Sequence, residues 1–284
     1  PSIDRLVSFD RRGLGRDLKR GKPSSLLRLL SELREARYDA VIDAQGLLRS
    51  ALLARASGAR RSFGFADAQE GARLLYRHRV AAARTLHAVE RMDRLAAEAV
   101  RGLGGTPENA TPDLTLHADA QEAAGLRQDP RFRLVPPIII APTSRWAGKR
   151  WPIDRFVELA RRLLRAGEYP LAIVGAPNER EQCRPLLELA ETDTRVVDLV
   201  GSINMERWLA LLSIARVVVA CDSAALHAAV GLGRPTVALF GPTRTDLVGP
   251  WRREHEVLQH LQGITLRPGD HKDGSLGREL MARI

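Results

Sequence analysis

Cysteine, lysine and aromatic residues are all scarce in this chain, and each scarcity excludes something. Two cysteines, Cys183 and Cys221, occur in 284 residues, too few for a disulfide framework or paired CxxC zinc ligation. Cys221 ends an apolar run, and buried, reduced thiols are the expectation for both. Aromatics make up 5% of the chain, few for the stacking platforms that nucleic acid requires. No apolar run approaches the length that spans a bilayer. No GxGxxG follows a strand pattern, and neither a GxxxxGK[ST] loop nor HExxH is present. Dinucleotide oxidoreductases, P-loop nucleotidases and zinc hydrolases are thereby disfavoured.

Arginine is what the chain has in excess. Of 44 basic residues only Lys19, Lys22, Lys149 and Lys272 are lysines, and the net charge is +10. That balance points to an anionic partner: a nucleic acid, an acidic lipid or a phosphorylated substrate. Hydrophobic content of 44% and charged content of 27% are those of a globular protein, and the length suits two α/β units.

The second half carries the clearer pattern. Pro137 to Ala141 is a fully apolar run, as a strand buried on both faces reads. Further strands are expected at Leu171 to Val174, Val196 to Val200, Val217 to Ala220 and Thr236 to Phe240. Helical patterns over Glu179 to Leu189, Met205 to Ile214 and Ala224 to Val230 separate them, and Pro152 opens another. This alternation predicts a parallel, doubly wound sheet. The first half repeats it less completely: strands at Tyr38 to Ala44, Arg61 to Phe65 and Arg79 to Ala82, with helices at Leu47 to Ala56 and His87 to Leu103. Ile3 to Phe9 reads as a strand of a fold already under way, and Gly277 to Ile284 as a helix. Gly104 to Pro136 has linker composition, giving expected domains at residues 1–125 and 126–284.

In an open parallel sheet, ligands bind beyond the carboxyl ends of the strands. In the second half those ends are followed by Thr143-Ser144, Gly175 to Asn178, Gly201-Ser202, Asp222-Ser223 and Gly241 to Thr243. All are small or polar, suited to a diphosphate faced by helix amino ends. Ordinary strand-to-helix turns favour the same residues. Lys149, ahead of a helix, could neutralise a leaving diphosphate or be a solvated loop lysine. Asp222 and Ser223 could cap the next helix, with His227 on its first turn. Glu179 either compensates a helix dipole or grips ribose hydroxyls. The basic segment from Arg5 to Lys22 is either a solvated loop or a surface that attracts a polyanionic lipid.

Several stretches together resemble the bacterial lipopolysaccharide heptosyltransferases of glycosyltransferase family 9. They are YDAVIDAQGLLRS (38–50), HAVER (87–91), KRWP (149–152), GAPNE (175–179), DSAALH (222–227) and FGPT (240–243). The first two resemble the heptosyltransferase I branch in particular. The resemblance implies a GT-B fold, two facing Rossmann-like domains with parallel sheets, the N-terminal one incomplete here. It implies inverting, metal-independent transfer of heptose from ADP-L-glycero-D-manno-heptose to the Kdo of Kdo–lipid A, in the cytoplasm at the inner face of the membrane. No cofactor is implied beyond the donor as co-substrate; no nucleic-acid partner is expected, and a monomer is. Another donor or a later core acceptor within the family is the alternative, and a basic nucleic-acid-binding protein is the reading from a different class. Family donor contacts fall on Thr143, Ser144, Lys149, Glu179, Asp222, Ser223 and His227, with Lys149 at the phosphates. Acceptor contacts fall on Arg12, Arg16 and Arg91. The family's general base, an aspartate in the first loop, is expected before residue 1, and Asp43 does not inherit the role. The family commonly has glycine where this chain has Ala224, so a methyl group is expected near the diphosphate.

Overall fold

The computed structural model describes residues 3–21, 23–108, 111–267 and 269–284. It divides into two compact units, Pro1–Pro112 and Asp113–Ile284. The first holds α1 (Arg11–Lys19), α2 (Ser24–Glu35), β1 (Ala40–Asp43), α3 (Leu48–Ala56), β2 (Arg61–Phe65), β3 (His78–Val80) and α4 (Ala88–Gly102). The second holds α5 (Ala120–Gln128), β4 (Ile138–Ala141), α6 (Ile153–Ala166), β5 (Leu171–Ile173), α7 (Arg180–Leu187), β6 (Val196–Asp198) and α8 (Met205–Ser213). It continues through β7 (Val217–Cys221), α9 (Ala224–Gly231), β8 (Thr236–Leu239), α10 (Thr245–Val248), β9 (Val257–Leu258) and α11 (Gly274–Ala282). Among the described residues no helix is long and apolar enough to cross a membrane.

In the first unit the strands lie in the order β1-β2-β3, all parallel. Phe63, Phe65 and Val80 pack with Leu95 and Ala99 of α4, and Ala51 of α3 packs with Ala72 and Tyr76. Register puts Asp43 opposite Gly64. A Cβ on Gly64 would overlap the Tyr76 ring, so the bare backbone lets that ring lie across the sheet end. Its hydroxyl donates to Asp43 Oδ2 at 2.6 Å, while Asp43 Oδ1 accepts from the Gln45 and Gly46 amides at 2.9 and 3.1 Å. Asp43, 6% exposed, is thus spent on holding the β1–α3 turn. Residues 3–10 form neither helix nor strand, contrary to the strand expected at Ile3 to Phe9. Ile3 and Leu6, 70% and 87% exposed, find no core to bury in.

The second unit is a six-stranded parallel sheet in the order β6-β5-β4-β7-β8-β9. Its central strands, IIIA and VVVAC, are apolar along their length because helices cover both faces. Ile139, Ala141, Val218 and Ala220 face α5, α8 and α9, whereas Ile138, Ile140, Val219 and Cys221 face α6, α7 and α11. Strand order reverses between β4 and β7: the chain runs outward from β4 through β5 to β6, then returns to place β7 on the other side. The five expected strands are present; β9, α5 and α10 lie outside the expected elements.

Replacing Asp43 by Ala would strip two turn amides and a buried phenol of their acceptor. A loss of about 1–3 kcal/mol is expected in urea unfolding of the whole chain; an unchanged midpoint would show that the turn holds itself.

Candidate functional site

The loops following β4, β5, β6 and β7 enclose a cavity of about 560 Å³ in the second unit. It opens at the reversal point of the sheet, where the two strands' connections diverge to opposite faces and leave a crevice. Thr143, Ser144, Lys149, Glu179, Asp222 and Ser223, brought from the three loops after β4, β5 and β7, all line it. Its apolar wall, which motif reading passed over, is Val174, Ile203, Met205 and Trp208. Trp208 and Met205 were legible only as a helix face.

Asp222 anchors the polar side. Its Oδ2 lies 2.6 Å from Lys149 Nζ and accepts from the Thr243 hydroxyl at 2.9 Å. The side chains of Lys149 and Asp222 are only 14% and 10% exposed, so each needs the other to offset lost hydration. An ammonium carries three protons, so this pairing leaves donors for a further anion. The Asp222 carbonyl accepts from Ser144 Oγ at 2.9 Å, tying the β7–α9 turn to the β4 loop. Cys221 adds two sulfur contacts: it accepts from the Trp151 amide at 3.4 Å and donates to Pro142 O at 3.7 Å. The stretch carrying Lys149 is therefore fastened to β7 at both ends. Both cysteines are free and buried, as expected, and burial pushes each thiol up to about 12.

Ser223 is the N-cap of α9, yet its side chain makes no capping bond, and its Oγ is buried without a hydrogen-bond partner among the described residues. Serine at this position ordinarily caps; here the hydroxyl is unspent beside the cavity. Ala224, exposed, also lines the cavity, so its methyl group is at the site. Glu179 Oε2 accepts from the Thr143 hydroxyl at 2.7 Å and from the Ala176 amide at 2.8 Å. Both bonds end on one oxygen, leaving the other its acceptor capacity. The hydroxyl protons of Thr143 and Ser144 thus go to protein atoms, and these two residues position Glu179 and Asp222. Gly201, at φ +72°, comes against Pro177, whose Cα would lie 2.7 Å from an added Cβ, so only glycine lets the β6 loop close beneath the β5 loop.

His227 stands on the first turn of α9 outside the cavity lining, its Nε2 4.0 Å from Asp222 Oδ1 and its side chain 47% exposed. His271 lies near Lys149, edge-on to Trp146 with ring centroids 6.0 Å apart. Burial and then the Lys149 and Lys272 ammoniums lower its pKa, favouring the neutral ring. Sequence reading missed His271 because no motif surrounds it.

The expected acceptor residues belong to the first unit. Arg16, on α1, is exposed; the side chain of Arg12 lies outside the described residues. Arg91, the last residue of HAVER, lies 4.6 Å over the Phe65 ring, and one guanidinium nitrogen is 2.8 Å from Asp67. Arg84 pairs with the same carboxylate at 2.6 Å. Burial alone would raise Asp67, but the hydrogen bond from Arg84 and the charges of Arg91 and Arg84 hold it below the usual carboxylate range. Among the described residues no group of three or more His, Cys, Asp or Glu is arranged to hold a metal.

A model of glycosyltransferase family 9 (heptosyltransferase) matches residues 26–267. Lipopolysaccharide heptosyltransferase 1 of Escherichia coli K12 is 31% identical over 238 residues, covering 80% of this chain and 68% of that protein. Its Pseudomonas aeruginosa PAO1 namesake is 31% identical over 268 residues, covering 91% and 70%. Among solved structures, E. coli heptosyltransferase WaaC with ADP aligns with a TM-score of 0.68 at 26% identity, covering 90% of this chain and 77% of that one.

Because the Asp222 carboxylate is nearly buried, Lys149→Met would leave it uncompensated. A loss of up to about 3 kcal/mol in denaturant unfolding is expected, most of it recovered when Asp222→Asn is added. A double variant as unstable as the sum of the singles would show that the pair is not coupled.

Proposed function

The chain belongs to glycosyltransferase family 9, the heptosyltransferases, and we propose that it transfers heptose from ADP-L-glycero-D-manno-heptose to the Kdo of a Kdo–lipid A acceptor in lipopolysaccharide core synthesis. The observation that carries this reading is the pairing of Lys149 with Asp222 in the same cavity as Glu179 and an unspent Ser223 hydroxyl. That set suits a nucleoside diphosphate. The apolar wall of Val174, Ile203, Met205 and Trp208 offers a flat base a dry surface. The free acceptor capacity of Glu179 meets ribose hydroxyls, and Lys149, Ser223 and the amino end of α9 meet the phosphates.

In the inverting reaction the acceptor hydroxyl oxygen attacks the anomeric carbon from the face opposite the diphosphate. The carbon–oxygen bond to the diphosphate breaks, and the hydroxyl proton passes to a general base. Charge then grows on the departing phosphate oxygen, where Lys149 acts. An ammonium held beforehand by Asp222 and Thr243 stabilises that charge without having to reorganise. In this role it replaces a divalent cation, so transfer proceeds without metal or other cofactor. Asp43 is not the base, because its oxygens are committed to Gln45, Gly46 and Tyr76.

Anionic groups of the acceptor fall to basic residues of the first unit, Arg16 and Arg91 among them, Arg91 being held ready by Phe65 and Asp67. With a net charge of +10, the chain suits an anionic lipid surface at the inner face of the cytoplasmic membrane, where it works as a monomer.

Calorimetric titration of the whole chain with ADP and UDP in EDTA tests the donor assignment. ADP should bind without metal and UDP at least about tenfold more weakly. Lys149→Ala should lose on the order of 10- to 100-fold in ADP affinity, the worth of a charged hydrogen bond. Equal affinity for UDP, or a strict need for Mg²⁺, would contradict it.

A further inference from the structure

Lys149 ends a single 3-10 turn, Ala147–Lys149, and that turn rests on α11, which lies beyond the residues matched by the family model. Gly148 and Gly277 are both buried where the two meet. A Cβ on Gly277 would lie 2.7 Å from the Gly148 carbonyl carbon, and nearer still to its Cα and oxygen. A Cβ on Gly148 would lie 2.9 Å from Asp273 O and 3.3 Å from Gly277 Cα. Neither glycine has positive φ, so conformational freedom does not account for them; close approach does. The opposing atoms are backbone, and no rotamer change relieves the overlap. To restore ordinary carbon contacts the two segments would have to part by about 1 Å.

The same helix reaches the loop that supplies Thr243. A Cβ on Gly241 would meet the Met281 side chain at 2.8 Å and Gly148 O at 3.3 Å. From the other side, Gln259 Nε2 donates to the carbonyls of Gly241 and Thr243 at 2.7 and 2.8 Å. Both residues that grip the Asp222 carboxylate, Lys149 and Thr243, are therefore carried on loops that touch α11 through glycine.

We infer that α11 is a positioning element of the donor site, and that the bare Gly148–Gly277 contact sets where the Lys149 ammonium sits relative to a bound diphosphate. The inference rests on the reading of Lys149 as the phosphate anchor. A displacement of about 1 Å is enough to lose one to two orders of magnitude where geometry carries the effect. An element needed only for stability would affect nucleoside and nucleotide alike, whereas a positioning element affects only the ligand that bears phosphates.

The test is calorimetric affinity of the full chain for ADP and for adenosine, in the wild type, Lys149→Ala, Gly277→Ala and the double variant. Gly277→Ala is expected to weaken ADP on the order of tenfold or more and to leave adenosine unchanged. In the double variant ADP binding should be no weaker than in Lys149→Ala alone, because both changes act through one ammonium. Gly148→Ala, whose added methyl overlaps less, should give the same ADP-selective loss at smaller size, and it serves if Gly277→Ala does not fold. Wild-type ADP affinity in both glycine variants, beside a weakened Lys149→Ala, would overturn the inference and leave the donor reading standing. Equal loss for adenosine, or losses that add in the double variant, would also overturn it. Unchanged ADP binding by Lys149→Ala would overturn the donor reading itself and this inference with it.

Discussion

The site is organised around one nearly buried carboxylate. Asp222 sits at the end of β7, where an unpaired negative charge would be costly, and the fold answers with a lysine from the β4 loop and a threonine from the β8 loop. Because those partners arrive from loops on either side of β7, satisfying Asp222 also fixes the three loops against one another. Ser144 and Cys221 reinforce the same join through the Asp222 carbonyl and the Trp151 amide. Protein partners alone thus hold the ammonium in place, and in the proposed reaction such a preset charge is what a leaving diphosphate requires.

Its location follows from the sheet. With β4 and β7 adjacent and their connections running to opposite faces, the crevice beyond their carboxyl ends lets short loops surround a ligand without crossing. Residues close in space come from far apart in sequence, and the late elements β9 and α11 act as a backing layer. Gln259 follows β9 directly and holds the Thr243 loop, and Met281 of α11 fills the space left by Gly241. The end of the chain therefore supports a site built from its middle.

Much of the second unit was legible because doubly buried strands write themselves as apolar runs; PIIIA and VVVAC admit few other readings. Short or lightly buried elements were not. Val257–Leu258 is two residues long, α5 lies inside a stretch of linker composition, and Ile3 to Phe9 has the composition of a strand but no core to join. Motif reading brought Thr143, Ser144, Lys149, Glu179, Asp222 and Ser223 into one cavity. It could not assign their roles. That Thr143 and Ser144 spend their hydroxyls on Glu179 and Asp222, or that Arg91 leans on Asp67, depends on side-chain geometry that no spacing rule encodes. Likewise Gly148 and Gly277 look unremarkable in the sequence; only their meeting in space gives them meaning.

In the proposed reaction the Lys149 ammonium is the group that meets the phosphates, and a crystal structure of the whole chain with ADP measures that directly. Lys149 Nζ should lie within hydrogen-bonding distance of a diphosphate oxygen while keeping Asp222, with Glu179 on the ribose. ADP bound with its phosphates away from Lys149, the lysine still turned wholly to Asp222, would contradict it.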